Sequence, residues 1–136
     1  MAKYAGYGTA FKRGATTVAQ VRNISGPGLS LDTEDVTTHD SPSGWEEVVA
    51  TILRSGEVTL ELVYDPNAAT HKNASGGILA DLVARTSQTY SIVFPSSPAV
   101  TWSFTAYCVG FEPGAPHDGA LTASARYKIT GAPTLA

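Results

Sequence analysis

Two stretches of the chain alternate apolar and polar residues without a break, and a period of two confines them to strands. In Glu57–Tyr64, Val58, Leu60, Leu62 and Tyr64 fall on one face, and Glu57, Thr59 and Glu61 on the other. Leu121–Thr130 repeats the pattern, with Leu121, Ala123, Ala125, Tyr127 and Ile129 set against Thr122, Ser124, Arg126, Lys128 and Thr130. One wet face per strand favours an antiparallel sheet over a parallel sheet covered on both sides. Further strands are expected at Val18–Ile24 and Leu29–Thr33, separated by the turn signal Ser25-Gly26-Pro27-Gly28. Others are expected at Tyr90–Phe94 and Trp102–Phe111. The last carries Trp102, Phe104, Ala106 and Cys108 on one face, while its second face turns apolar at Tyr107, Val109 and Phe111, as it would beside another layer or another chain. One segment has helical spacing: Ile78, Leu82 and Arg85 share a side, with Leu79 and Val83 next to them. It predicts a helix over 76–87 with Ser75 as N-cap. Strands around a single short helix describe a mainly β domain, an antiparallel β-sandwich or barrel with one flanking α-helix and a long inter-strand loop.

At 136 residues the chain is the length of one domain, 1–136, with room for a hydrophobic core. Hydrophobic residues make up 43% and charged residues 15%, which excludes a wholly disordered chain. A net charge of −3 argues against a dedicated nucleic-acid binder, which carries a basic patch. One cysteine, Cys108, excludes an internal disulfide framework and a cysteine-rich zinc site. With no long apolar run and no basic-then-apolar start, the expectation is a soluble protein made inside the cell.

Two segments fit this picture poorly. Residues 1–14 hold Lys3, Tyr4, Tyr7, Phe11, Lys12 and Arg13 among glycines, and are expected to form a flexible N-terminal arm. Residues 36–56 form a long connection between two strands, of a length that is usually functional or disordered. Its Trp45, Val48, Val49, Ile52 and Leu53 are seldom found in a disordered loop, so they predict a surface buried by another molecule. The competing expectation folds the loop back onto its own barrel.

Catalytic chemistry finds little support. His39-Asp40 and His117-Asp118 lie in turn-rich segments without further ligand spacing, and His71 stands alone. No Gly-x-Ser-x-Gly elbow, phosphate loop or dinucleotide fingerprint is present. Cys108 sits on an apolar strand face as a small hydrophobe. Glu46-Glu47 would point to opposite faces of a strand, suiting an intersubunit salt bridge better than acid–base work. No enzyme activity, metal or cofactor is expected.

A series of short pieces carries a resemblance: Ile24-Ser25-Gly26-Pro27-Gly28, Asp35-Val36-Thr37-Thr38-His39-Asp40-Ser41-Pro42, Gly44-Trp45-Glu46-Glu47, Ser55-Gly56-Glu57-Val58, Tyr64-Asp65-Pro66 and Thr130-Gly131-Ala132-Pro133. In order and spacing this resembles the major tail tube protein of long, flexible-tailed bacteriophages, the family of the lambda tail tube protein's N-terminal domain. Ala50-Thr51 stands where relatives have a glycine, which implies a differently bent loop. The chain also stops before the immunoglobulin-like domain that lambda's protein adds.

The resemblance implies a virion protein, assembled in the host cytoplasm, whose homo-hexameric rings stack into a hollow tube. Its implied partners are the tape measure protein, the tail-tip initiator and tail terminator proteins, and genomic DNA passing without sequence-specific binding. The expected inter-subunit contacts are Thr37, Thr38, Trp45, Glu46, Val48, Val49, Ile52 and Leu53 of the loop with Tyr4, Tyr7 and Phe11 of the arm. Glu57, Thr59 and Glu61 are candidates to line the lumen, unless that face lies outside, with Arg126 and Lys128 placed to neutralise the glutamates across the sheet. Two other readings stay open: a carbohydrate-binding β-sandwich module using Trp45, Tyr4 and Tyr7, and the tube protein of a bacterial contractile injection or secretion system.

Overall fold

The computed structural model describes residues 3–135. Nine strands and one α-helix follow in chain order: β1 (Ala10–Arg13), β2 (Thr16–Thr17), β3 (Val21–Ser25), β4 (Ser30–Asp35), β5 (Val48–Arg54), β6 (Glu57–Val63), α1 (Ile78–Ala84), β7 (Gln88–Phe94), β8 (Val100–Gly114) and β9 (Thr122–Leu135). Seven strands form one antiparallel sheet in the order β2-β1-β7-β8-β9-β6-β3, while β4 and β5 pair only with each other. The long strand β8 pairs with β7 over Val100–Ala106 on one edge and with β9 from Trp102 to Gly114 on the other, and the sheet curls around it into a half-barrel.

The alternating segments supply the core. Val58, Leu60 and Leu62 of β6 are fully buried, as are Ala125 and Tyr127 of β9. Phe11, Tyr90, Phe104 and Tyr127 join the two halves of the curl, with ring centroids 4.6 Å apart for Tyr90–Tyr127 and 5.3 Å for Phe11–Tyr127. Phe11 therefore does not belong to a flexible arm and is no inter-subunit contact. It is 0% exposed, and Ala10–Arg13 are held in register by β7. A single aromatic among glycines and lysines gave no periodic signal, although burying that ring secures the strand. Of the expected arm, residues 1–2 lie outside the described residues, and Lys3–Thr9 precede β1.

The helix is shorter than predicted. It starts after Gly77, not at Ser75, and stops at Arg85, whose left-handed backbone (φ 59°) ends the turn. Asp81 faces inward and is nearly fully buried. Arg13 grips it with both nitrogens, Nε donating to Oδ2 at 2.7 Å and Nη2 to Oδ1 at 2.9 Å, and the Tyr90 hydroxyl donates to Oδ2 at 2.8 Å. These bonds clamp α1 onto β1 and β7, and they satisfy a buried carboxylate that would otherwise be costly. The bond to Asp81 raises the Arg13 guanidinium above its ordinary value, and burial raises the Tyr90 phenol. His71 is likewise structural: Nε2 lies 2.6 Å from the Ala19 carbonyl, and Nδ1 accepts the Asp65 N–H at 3.3 Å. With Nδ1 accepting, Nε2 is the nitrogen that faces the Ala19 carbonyl as donor.

A β-bulge reverses part of β8. Cys108 opposes Tyr127 and Gly110 opposes Arg126, which leaves Val109 as the extra residue. Alternation restarts one step late, so Phe111 turns inward beside Tyr64, ring centroids 5.3 Å apart, instead of following Tyr107 outward. The expected partner for this face is thus partly the chain itself. Tyr107 and Val109 stay outside, each 43% exposed.

Tyr127 Oη is a buried polar atom without a hydrogen-bond partner among the described residues. Removing it frees the fold of an unsatisfied hydroxyl, so Tyr127→Phe should stabilise the domain by about 1 kcal/mol. Tyr90→Phe instead strips a bond from Asp81 and should destabilise it by about 1–2 kcal/mol. Denaturant titration of the two variants measures both signs. Burial lifts the Cys108 thiol to about 11, so the native chain should resist alkylation at pH 8 and label fully once unfolded, which mass spectrometry would register.

Candidate functional site

Between Ser25 and Glu57 the chain leaves the sheet and returns, and the excursion is a β-hairpin. Leu31 opposes Leu53, Thr33 opposes Ala50, Glu34 opposes Val49 and Asp35 opposes Val48. The segment expected as a loop over 36–56 is thus one-third strand, Val48–Arg54. Val48–Arg54 has apolar residues on both faces and so shows no period of two, which hid it from the sequence pattern. The strands expected on either side of Ser25-Gly26-Pro27-Gly28 do not pair with each other: β4 pairs with β5, and β3 pairs with β6. The arm of this molecule is therefore the hairpin of residues 29–54.

Its neck is made of glycines. At Gly26 (φ 98°) any Cβ would strike the Glu57 carbonyl, and at Gly56 (φ 72°) it would strike the Gly28 carbonyl. Both need positive φ as well as space, so the outgoing and returning strands cross at a contact that only glycine permits.

The tip is braced by its own side chains. The Thr37 hydroxyl accepts the Glu47 N–H at 2.8 Å, Val36 N–H donates to the Glu47 carbonyl at 2.9 Å, and Thr37 N–H donates to Asp35 Oδ1 at 2.8 Å. Those bonds from Thr37 hold the Asp35 carboxyl below its ordinary value. Thr38 N–H donates to the Ser41 hydroxyl at 2.9 Å, and a single turn at Pro42–Gly44 follows. Thr37 and Thr38 therefore spend their hydrogen bonds inside the tip. What the tip presents outward is Trp45, 75% exposed, followed by exposed Glu46 and Glu47.

Every residue of β5 is exposed. Val48, Val49, Ile52 and Leu53 are open to solvent, and so are Leu29, Leu31 and Val36, which the sequence reading had not placed with them. Their common signal, apolar residues within a segment of six carboxylates, was visible but lacked the pairing that joins them. Leu31, Leu53 and Val48 share one face of the hairpin, while Val49 shares the other with Glu34. The Arg54–Asp32 ion pair, 2.7 Å, is open to solvent and adds little. A lone hairpin with apolar residues on both faces is marginal in water, and it suits insertion between two surfaces. Tyr4 (54% exposed) and Tyr7 (96%) lie apart from the arm, before β1.

On the body, Glu57, Thr59 and Glu61 turn away from the core as the alternation requires. Glu57 stands directly opposite Lys128, Thr59 opposite Arg126 and Glu61 opposite Ser124. The register thus puts a cation directly opposite Glu57 but not opposite Glu61, and neither glutamate forms an ion pair among the described residues. Among the described residues, no cluster of three or more His, Cys, Asp or Glu could hold a metal ion, and no helix is long and apolar enough to cross a membrane.

The family model of the lambda phage tail tube protein matches residues 4–136. The chain belongs to that family. Solved tube assemblies share the fold of this tail tube chain. A chain of the virion of a native gene transfer agent particle superposes with a TM-score of 0.78 at 16% identity, covering 98% of this chain and 99% of the other. A chain from the tail of an empty gene transfer agent particle, refined with C6 symmetry, gives 0.71 at 18% identity over 98% and 99%. One from the sheath/tube terminator of an extracellular contractile injection system gives 0.74 at 12% identity over 100% and 98%. A comparison with curated proteins finds no match. Family membership puts the chain in the tail tube of a virion and takes the place of the sugar-binding reading.

The neck yields a test. Gly56→Ala should leave the body folded, with a melting temperature lowered by a few degrees, yet misdirect the arm and suppress assembly, which circular dichroism and sedimentation would separate.

Proposed function

We propose that six copies of this chain close into a ring, and that rings stack into a hollow tube through the arms. The observation that carries this reading is the hairpin, paired with no other strand among the described residues, whose large apolar side chains stay 39–81% exposed. Burying one large apolar side chain is worth roughly 1.5–3 kcal/mol, so Trp45, Ile52 and Leu53 together supply much of a subunit contact. Closure into a ring also pairs the edges at β3 and β2, which in an open sheet would recruit further strands without limit.

In this reading the tube encloses the tape measure protein during assembly and later conducts DNA, with an initiator at its tip and a terminator at its end. The face carrying Glu57, Thr59 and Glu61 lines the lumen. Its carboxylates alternate with Arg126 and Lys128 across the β6–β9 ladder, so phosphates meet no unbroken cationic surface that would hold them. The tube's work is mechanical, and no catalysis is assigned to it.

Trp45→Ala should give folded protomers that do not polymerise. Negative-stain microscopy with light scattering on wild type and variant tests this, seeded with tail-tip complex where one is needed. Hollow tubes from wild type and monomers from the variant are expected. Normal tubes from Trp45→Ala would remove the arm from the assembly.

A further inference from the structure

The arm and the body carry opposite charge. Asp32, Glu34, Asp35, Asp40, Glu46 and Glu47 face only Arg54 within residues 29–54, so the arm holds −5 of a chain whose total is −3, and the remainder holds +2. An acidic arm exposing tryptophan needs an apolar surface bearing a cation. The body offers one where the half-barrel stays open, between β3 and the end of β7. There Tyr4, Tyr7, Ile24, Phe94 and Pro95 line a cleft of about 670 Å³, and Arg22 stands at its wall. Arg22 is the residue that slips out of register between Val21 and Asn23, it is exposed, and it forms no ion pair among the described residues. Lys3, exposed, precedes Tyr4 in the chain. The apolar groove at the foot of the arm, between Leu31, Leu53 and Leu135, has Arg54 as its cation, already taken by Asp32.

Resting on the tube reading above, we infer that this cleft is the receptor for the arm tip of a second copy, Trp45 entering between Tyr4, Tyr7 and Phe94 while Glu46 and Glu47 meet Arg22 and Lys3. The occupant is a second copy because a protomer cannot fill its own cleft. Gly26 lines the cleft and also forms the neck of the arm, and the seven residues of β5 carry the tip roughly 20 Å away at about 3.3 Å per residue. A tip on one surface and a socket on another make a head-to-tail contact, which propagates from copy to copy instead of closing in a pair. Tyr4 and Tyr7 then leave solvent on assembly, and stacking of Trp45 on them is favoured by their rings. The charge pairing makes assembly weaken as salt rises.

Site-directed cross-linking tests the contact. In tubes of a Ser43→Cys/Ser96→Cys variant, which keeps Trp45 and both tyrosines and puts one thiol beside Trp45 and the other on the cleft wall, mild oxidation should yield a ladder of disulfide-linked copies, and either single variant should yield none beyond background. Cys108, buried, does not compete. Arg22→Glu should raise the concentration needed for assembly at least tenfold, and Glu46→Lys with Glu47→Lys should restore it in that background. Tubes that form without a ladder, unaffected by Arg22→Glu, would overturn this socket and leave the tube reading standing. Failure of the wild-type chain to form tubes even when seeded would overturn both.

Discussion

Two strands joined by a loop enclose no interior, and among the described residues β4 and β5 pair with no strand but each other. Every apolar side chain they carry must be covered by something beyond them. That constraint organises the rest of the molecule. The glycine neck aims the hairpin away from the body, the threonine-braced tip holds Trp45 outward, and the body is left free to be a sound domain by itself. A protomer built in this way is complete as a fold and incomplete as a surface.

The body achieves its independence through a small number of well-placed groups. Four aromatic rings join the two halves of the curled sheet, and the Asp81 carboxylate ties helix to strands through Arg13 and Tyr90. His71 secures the loop before the helix against the segment leading into β3. Arg13, Asp81, Tyr90 and His71 each have donors or acceptors taken by these bonds. Apart from the buried Tyr127 hydroxyl, the unsatisfied features among the described residues lie outside the core, in the arm, the open cleft and the exposed tyrosines.

How far this could be read from the residues depended on whether a strand had one wet face. β6 and β9 did, and their core and solvent faces were legible to the residue. β5 did not, since Val48, Val49, Ile52 and Leu53 place apolar groups on both sides. Its need for a partner was legible but its strand was hidden. β1 was lost because Phe11 is its single core residue, and one ring makes no pattern. The Val109 bulge could not be foreseen, because the extra residue looks like continued alternation until the neighbouring strand is in place. Gly26 reads as part of a turn signal and Gly56 as the end of a loop, whereas both sit where a Cβ would strike the backbone of the other strand. Family likeness gave the assembly, and the exposed surface supports the proposal that the arm performs it.

The central claim is that the hairpin is stable only when other copies cover it, and hydrogen–deuterium exchange measures that directly. In the monomer, amides of 30–35 and 48–54 should exchange nearly as fast as an open chain, while those of β6 and β9 stay protected. In assembled tubes the same hairpin amides should slow by about a hundredfold or more. A hairpin already protected in the monomer, or still unprotected in the tube, would contradict the account.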